Sequence, residues 1–343
     1  MKKFAALVLA GAMTLGLAAC GGGNTSTPAA SSTPDASTPA TSTPAASTGS
    51  DYASLDPVVL RGADSAGVGA AAQQLGELVA EKVDAITGGQ LTVEYYPNSE
   101  MGGDMDIQQQ MLDGTLDYVV LQTAPTVSFV PAVAVFDLPM VFAQYDGDTI
   151  DQVLNGDDSE FLKAIAPKYE EKNMKILGYL QNATYRLTTS NVKLDTLDAF
   201  KGLQIRTMEN QNHMAFWSAL GAAPTPLAWP EVYISLQNGT IDAQENAADT
   251  CMTSNFQEVQ KYLNFTNHIL YLNQIIINND KFNSLDPLYQ DALTQAVEEA
   301  IAELRPALTE LDKSSKDTLA AGGMEMVEYA PEFYDEILNL QGV

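Results

Sequence analysis

The residue types that carry most enzymatic chemistry are sparse in this sequence. Its 343 residues include two histidines, His213 and His268, and two cysteines, Cys20 and Cys251. The histidines lie far apart in the chain, and neither has a companion at zinc-site spacing. Each reads as a structural hydrogen-bonding group. Cys251 stands near Asp249 with no adjacent cation to stabilise a thiolate, so it reads as a buried, inert thiol. There is no G-x-S-x-G elbow, no Walker-type phosphate loop and no G-x-G-x-x-G turn. Asp146, Asp148, Asp151, Asp157 and Asp158 form an acidic stretch without EF-hand spacing, which reads as a solvated helix start. No catalytic group, metal site or cofactor is expected.

Arginine is the informative cation. Of 17 Lys and Arg residues only Arg61, Arg186, Arg206 and Arg305 are arginines. Arg186 and Arg206 both fall in strand-like, otherwise apolar or small-residue runs, Tyr185–Ser190 and Leu203–Met208. A planar, permanently charged guanidinium suits bidentate capture of a carboxylate. The formal charge is -27. Such a surface repels nucleic acid, and it would repel an anionic ligand unless a local cation overrode the field. Two readings stay open from spacing alone: each arginine captures an anion, or each pairs with an acidic neighbour.

The elements that must position these arginines alternate in type. Val58–Gly62, Leu91–Tyr96 and Leu116–Gln122 read as strands. Between them, Val68, Ala72, Leu75, Val79, Val83 and Ile86 trace one helical face, stopped by Gly88-Gly89, and a second helix spans Asp104–Leu112. Short connections predict parallel pairing with right-handed crossovers. Further strands are expected at 175–181, 185–190, 203–208, 241–246, 269–278 and 324–329, with helices at 210–220 and 231–237, a C-terminal helix from Pro331, and a long helix from Pro287 kinked at Pro306. The expected fold class is α/β, with two α/β lobes around a central ligand cleft. One lobe comprises 56–183 and 272–312, the other 184–271 and 313–343.

The N-terminus has a separate logic. Lys2 and Lys3 precede the apolar run Phe4–Leu17, and Leu17-Ala18-Ala19 precedes Cys20. This reads as a secretory signal over 1–19. It also resembles a bacterial lipobox, which makes Cys20 the lipidation site and anchors the protein to the outer face of the cell membrane. With Cys20 acylated, Cys251 has no disulfide partner. Residues 20–55 are rich in Ser, Thr, Pro and Ala, and are expected to form a disordered tether.

Leu197-Asp198-Ala199-Phe200-Lys201-Gly202-Leu203-Gln204-Ile205-Arg206 resembles a signature of the substrate-binding subunits of TRAP (tripartite ATP-independent periplasmic) transporters. The run Leu220–Pro226, Glu231-Val232-Tyr233, Ile241–Asn246, Pro97–Gly103, Asp113–Asp117, Asp137-Leu138-Pro139 and Thr266-Asn267-His268 fit the same family in order. The resemblance covers the chain from about residue 57 and implies a two-lobed periplasmic-binding fold. It implies that Arg206 clamps a ligand carboxylate, that Arg186 is a second cation near it, that Asn246 bonds the same end, and that Trp229 forms an aromatic wall. Ser65, Gln122 and Thr123 would contribute from the first lobe. Glu231 and Glu245 would brace the scaffold. Trp229 is larger than the family's common Phe, Ala243 and Ala247 stand where Gly and Pro are frequent, and Pro125 replaces the Arg of some sialic-acid-binding members, which argues against sialic acid. The implied function is non-enzymatic: capture of a small organic acid (a C4-dicarboxylate, sugar acid or 2-oxo acid) and its delivery to the transporter's membrane subunits, while the acidic surface and the absence of heptads favour a monomer. A sensory co-receptor, and a secreted α/β hydrolase or lyase, are the alternatives.

Overall fold

The computed structural model describes residues 52–341. The signal segment 1–19, Cys20 and most of the 20–55 tether lie outside them. Residues 52–55 depart from the tether expectation. Tyr52 is buried and stacks on Tyr289 at 6.2 Å, and Leu55 packs on the same core. A tyrosine at the end of a polar run thus finds an aromatic partner on a distant helix, and ordered packing begins before residue 56.

Eleven strands are formed by the described residues: β1 Val58–Asp64, β2 Leu91–Tyr96, β3 Tyr118–Gln122, β4 Met174–Leu180, β5 Leu187–Ser190, β6 Gln204–Thr207, β7 Ala223–Pro226, β8 Ala243–Asn246, β9 Tyr262–Asn264, β10 Asn273–Asn278 and β11 Glu325–Val327. They build two sheets, in the orders β2-β1-β3-β10-β4 and β11-β9-β5-β8-β6-β7. In the first sheet β1 pairs in parallel with β2 and β3, as short β-α-β connections require. The helix Ala71–Thr87 makes the first crossover, buries Leu75, Val79 and Val83, and stops at Gly88, whose φ of 62° suits a residue without a Cβ.

β10 was expected as one long strand over 269–278. Only Asn273–Asn278 joins the sheet, antiparallel to both β3 and β4, because the preceding residues carry the chain from the other sheet. β7 escapes strand patterning because two of its four residues are prolines. It is tolerated as an edge strand, where missing N–H donors leave no ladder bond unmade.

Each sheet and its helices form one lobe with its own cores. The chain passes between the sheets from β4 to β5, from β9 to β10, and through the helices between β10 and β11. The last passage is the long helical segment. Pro287–Leu304 lays Ala292, Ala296, Val297 and Ala300 on the first lobe, a single tighter turn at Arg305–Ala307 contains Pro306, and Leu308–Ala321 carries Leu319 into the second lobe's core. The parallel strands β1 and β3 of one sheet, and β6, β7 and β8 of the other, present their carboxyl ends to a shared cleft. Open α/β sheets bind ligands at that end.

Candidate functional site

β6 places Arg206 in register with Gln244 of β8. Side chains alternate along a strand, so Gln244 and Asn246 share a face with Arg206, while Glu245 points to the opposite face. That alternation separates two functions in three consecutive residues. Asn246 reaches the cleft, and Glu245 goes into a buried charge network behind it.

In the cleft, Ser65, Gln122, Arg206, Trp229 and Asn246 line one cavity with about 370 Å³ of empty volume. Arg206 is 1% exposed. Its Nε donates to the Leu227 carbonyl at 2.8 Å, and its guanidinium carbon lies 5.4 Å from the centre of the Trp229 ring. Its buried Nη1 has no hydrogen-bond partner. Arg61, Arg186 and Arg305 each have an acidic side chain within 4.0 Å, whereas Arg206 has none among the described residues. Burial lowers the guanidinium to about 10, against the opposing pull of Glu245. A buried, half-satisfied cation of this kind presents its free fork to an anion.

The lobes meet across this cavity. The Gln122 amide donates to Asn246 Oδ1 at 3.4 Å, and Asn210 Nδ2 donates to the Ala124 carbonyl at 2.9 Å. Thr123 is buried but stands behind the cavity, with its backbone N–H directed at the Leu272 carbonyl at 3.4 Å.

Arg186 also stands behind the cavity. Its Nε pairs with Glu245 Oε2, its Nη2 donates to Glu245 Oε1 at 3.0 Å and to the Glu245 carbonyl at 2.8 Å, and its Nη1 bonds Gln122 Oε1. Its direct neighbours are thus an acid and an amide, and the amide in turn faces the cleft. The two histidines, distant in the chain, converge on the same carboxylate. His268 Nε2 lies 3.2 Å from Glu245 Oε2, and His213 Nδ1 lies 3.5 Å from Glu245 Oε1 while its Nε2 faces Asp137 at 3.2 Å. Burial alone would raise Glu245, but Arg186 and the histidines together hold it well below the ordinary carboxylate range. Burial works against the His213 charge, but the hydrogen bond to Asp137 and the nearby Glu245 carboxylate outweigh it and raise His213, whereas burial prevails at His268 and lowers it. Nothing in the local spacing signals this convergence, which is made by strand pairing.

The cavity also holds groups that the sequence reading did not single out. Asp104 lines it and accepts a hydrogen bond from the Ser65 hydroxyl, and burial raises its carboxyl above the ordinary range. Its signal was its place just after the quoted Pro97–Gly103 run. Asn273 lines it too, with its buried Oδ1 unpartnered. Its signal was a polar residue opening an Ile-rich strand.

Comparison with known proteins places the chain in a family. Residues 63–339 match the family of bacterial extracellular solute-binding proteins, family 7. The chain is 30% identical over 257 residues to the 2,3-diketo-L-gulonate-binding periplasmic protein YiaO of Escherichia coli, covering 75% of this chain and 76% of that one. It superimposes on the sugar acid binding protein DctPAm of Advenella mimigardefordensis, solved in complex with galactonate, with a TM-score of 0.79 and 26% identity over 84% of this chain and 91% of that one. A TRAP periplasmic solute-binding protein of a Sulfitobacter species, solved with bound β-D-galacturonate, gives a TM-score of 0.77 and 25% identity over 83% and 94%. The chain therefore belongs to the family 7 extracellular solute-binding proteins, the substrate-binding proteins of TRAP transporters.

Proposed function

We propose that the cleft captures a small hydroxylated monocarboxylic acid, with Arg206 clamping the carboxylate, and that the loaded protein delivers it to the membrane subunits of its transporter. The observation that supports this most is the Arg206 guanidinium: buried, facing the cavity, and without an acidic partner among the described residues. Asn246 and Gln122 flank the same end, and Trp229 walls it. Asp104 and Asn273 offer acceptors elsewhere in the cavity, which suits ligand hydroxyls. A single unpaired arginine beside a buried aspartate favours one carboxylate over two, since a second anion would meet Asp104 in a low-dielectric site. The two solved relatives hold six-carbon sugar acids. Arg186 acts in this reading by fixing Gln122 rather than by touching ligand. A lipid at Cys20 would keep the carrier near its membrane partner and raise their effective concentration.

A melting screen tests the ligand class. D-galactonate, D-galacturonate, D-gluconate, succinate, pyruvate and neutral galactose are compared. A matching ligand at 100 times its Kd is expected to add about 2.7 kcal/mol, a rise of roughly 5 °C. The expected order is sugar acids above succinate, with galactose inert. A rise with galactose and none with any acid would contradict the carboxylate reading.

Asp104→Asn gives a second expectation. Removing the buried negative charge is expected to narrow the preference for a sugar acid over succinate about tenfold, read as the ratio of their Kd values by calorimetry. An unchanged ratio would remove Asp104 from the recognition of ligand charge.

A further inference from the structure

We propose that Asp249 is a latch that joins the two lobes by capping a helix of the opposite lobe. The helix Ala71–Thr87 belongs to the first lobe. Its N-cap residue is Ala70, which has no side-chain acceptor, and its first turn carries no acidic residue. Such a helix start leaves N–H donors without partners and a partial positive charge exposed. Asp249 meets both needs from the second lobe. It lies in the first turn of the helix Ala248–Thr253, which packs into the second lobe's core through Ala248 and Cys251. Its Oδ2 accepts from the Ala71 backbone N–H at 3.0 Å, and it is buried.

A separate contact joins the same two elements. At the other end of that short helix, Thr253 lies against Gly67, where an added Cβ would stand 2.9 Å from Thr253 Oγ1. The start of the Ala71–Thr87 helix and the loop before it therefore each touch the Ala248–Thr253 helix. Asp249 is not among the residues lining the Arg206 cavity, although its neighbour Thr250 is. It faces instead an adjoining cavity with Leu308, Leu311 and Asp312, and Asp312 is paired with Lys316 at 2.6 Å. The latch thus acts on closure without touching ligand.

A cap that exists only while the lobes are together favours the closed arrangement before any ligand arrives. It raises the fraction of protein competent to hold one. The proposal rests on reading the cleft as a site that closes. Its test uses ligand-free protein, so its failure is separate from failure of the carboxylate assignment.

Wild type, Asp249→Ala, Asp249→Asn and the double variant Ala70→Ser/Asp249→Ala are compared by small-angle X-ray scattering, with folding checked by circular dichroism. Asp249→Ala is expected to raise the open-to-closed ratio about fivefold, the equivalent of losing one helix cap, and so to enlarge the radius of gyration. Asp249→Asn keeps an acceptor and should stay compact. The double variant caps the helix within its own lobe and should remain expanded. Equal radii for wild type and Asp249→Ala, or a compact double variant, would overturn the latch.

Discussion

Arg206→Ala is expected to weaken ligand binding by about 2–5 kcal/mol, roughly 30-fold to several thousand-fold in Kd, without lowering the melting temperature of the ligand-free protein. The two halves of this expectation have one cause. In the free protein the guanidinium is buried with one nitrogen unpartnered and, among the described residues, no acidic side chain within ion-pair distance, so the pull of Glu245 and other nearby acids only partly offsets its desolvation cost. Removing it relieves that cost. In the complex the same fork gains a carboxylate in a site of low dielectric, and its loss leaves the ligand's charge buried and unpaired. Arg206→Lys keeps a charge but not the planar fork or its stacking on Trp229, and should fall between. Calorimetry and thermal melting measure the two halves. An Arg206→Ala protein that binds like wild type would remove the clamp, and one that fails to fold would make Arg206 a structural residue.

Glu245→Gln is expected to do the reverse: a large loss of stability, with binding affected only as a consequence. Glu245 is fully buried and gathers Arg186, His213 and His268. Removing its charge strands the Arg186 guanidinium in the interior, at a cost of about 3–5 kcal/mol and a fall of roughly 10 °C in Tm. The pH dependence carries a sign. Glu245 is depressed in the folded protein, so its contribution is present above the unfolded carboxylate value, about 4.3, and is lost as pH falls through its lower folded value. His213 is raised, so its contribution is complete below about 6.5 and disappears as pH rises through its folded value. The stability difference between wild type and Glu245→Gln should therefore peak between roughly pH 4.5 and 6.5. Denaturant melts across pH measure it, and a gap that grows steadily into alkali would contradict the network.

Local pattern carried much of this molecule. The 3.6-residue spacing of Leu75, Val79 and Val83 and the Gly88 stop are properties of short segments and recur in the structure, and the kink expected at Pro306 is there as a tighter turn between two helices. Spacing alone left Arg206 open between capturing an anion and pairing with an acidic neighbour, and only the family resemblance assigned it the clamp. Sequence left Arg186 ambiguous for the same reason, and only strand pairing separates the two. β5 and β8 run side by side and bring Glu245 to Arg186, while β6 turns Arg206 toward the cleft. The convergence of His213 and His268 on one carboxylate, the antiparallel insertion of β10 and the docking of Tyr52 on Tyr289 are likewise long-range events. They depend on which distant segments meet, which periodicity does not encode.

The most direct measurement is a crystal structure with the strongest-binding acid from the melting screen. The ligand's carboxylate oxygens should lie about 2.7–2.9 Å from the terminal nitrogens of Arg206, with Trp229 against its carbon chain. Density showing the acid group held elsewhere in the cleft, with Arg206 still lacking an anionic partner, would contradict the account.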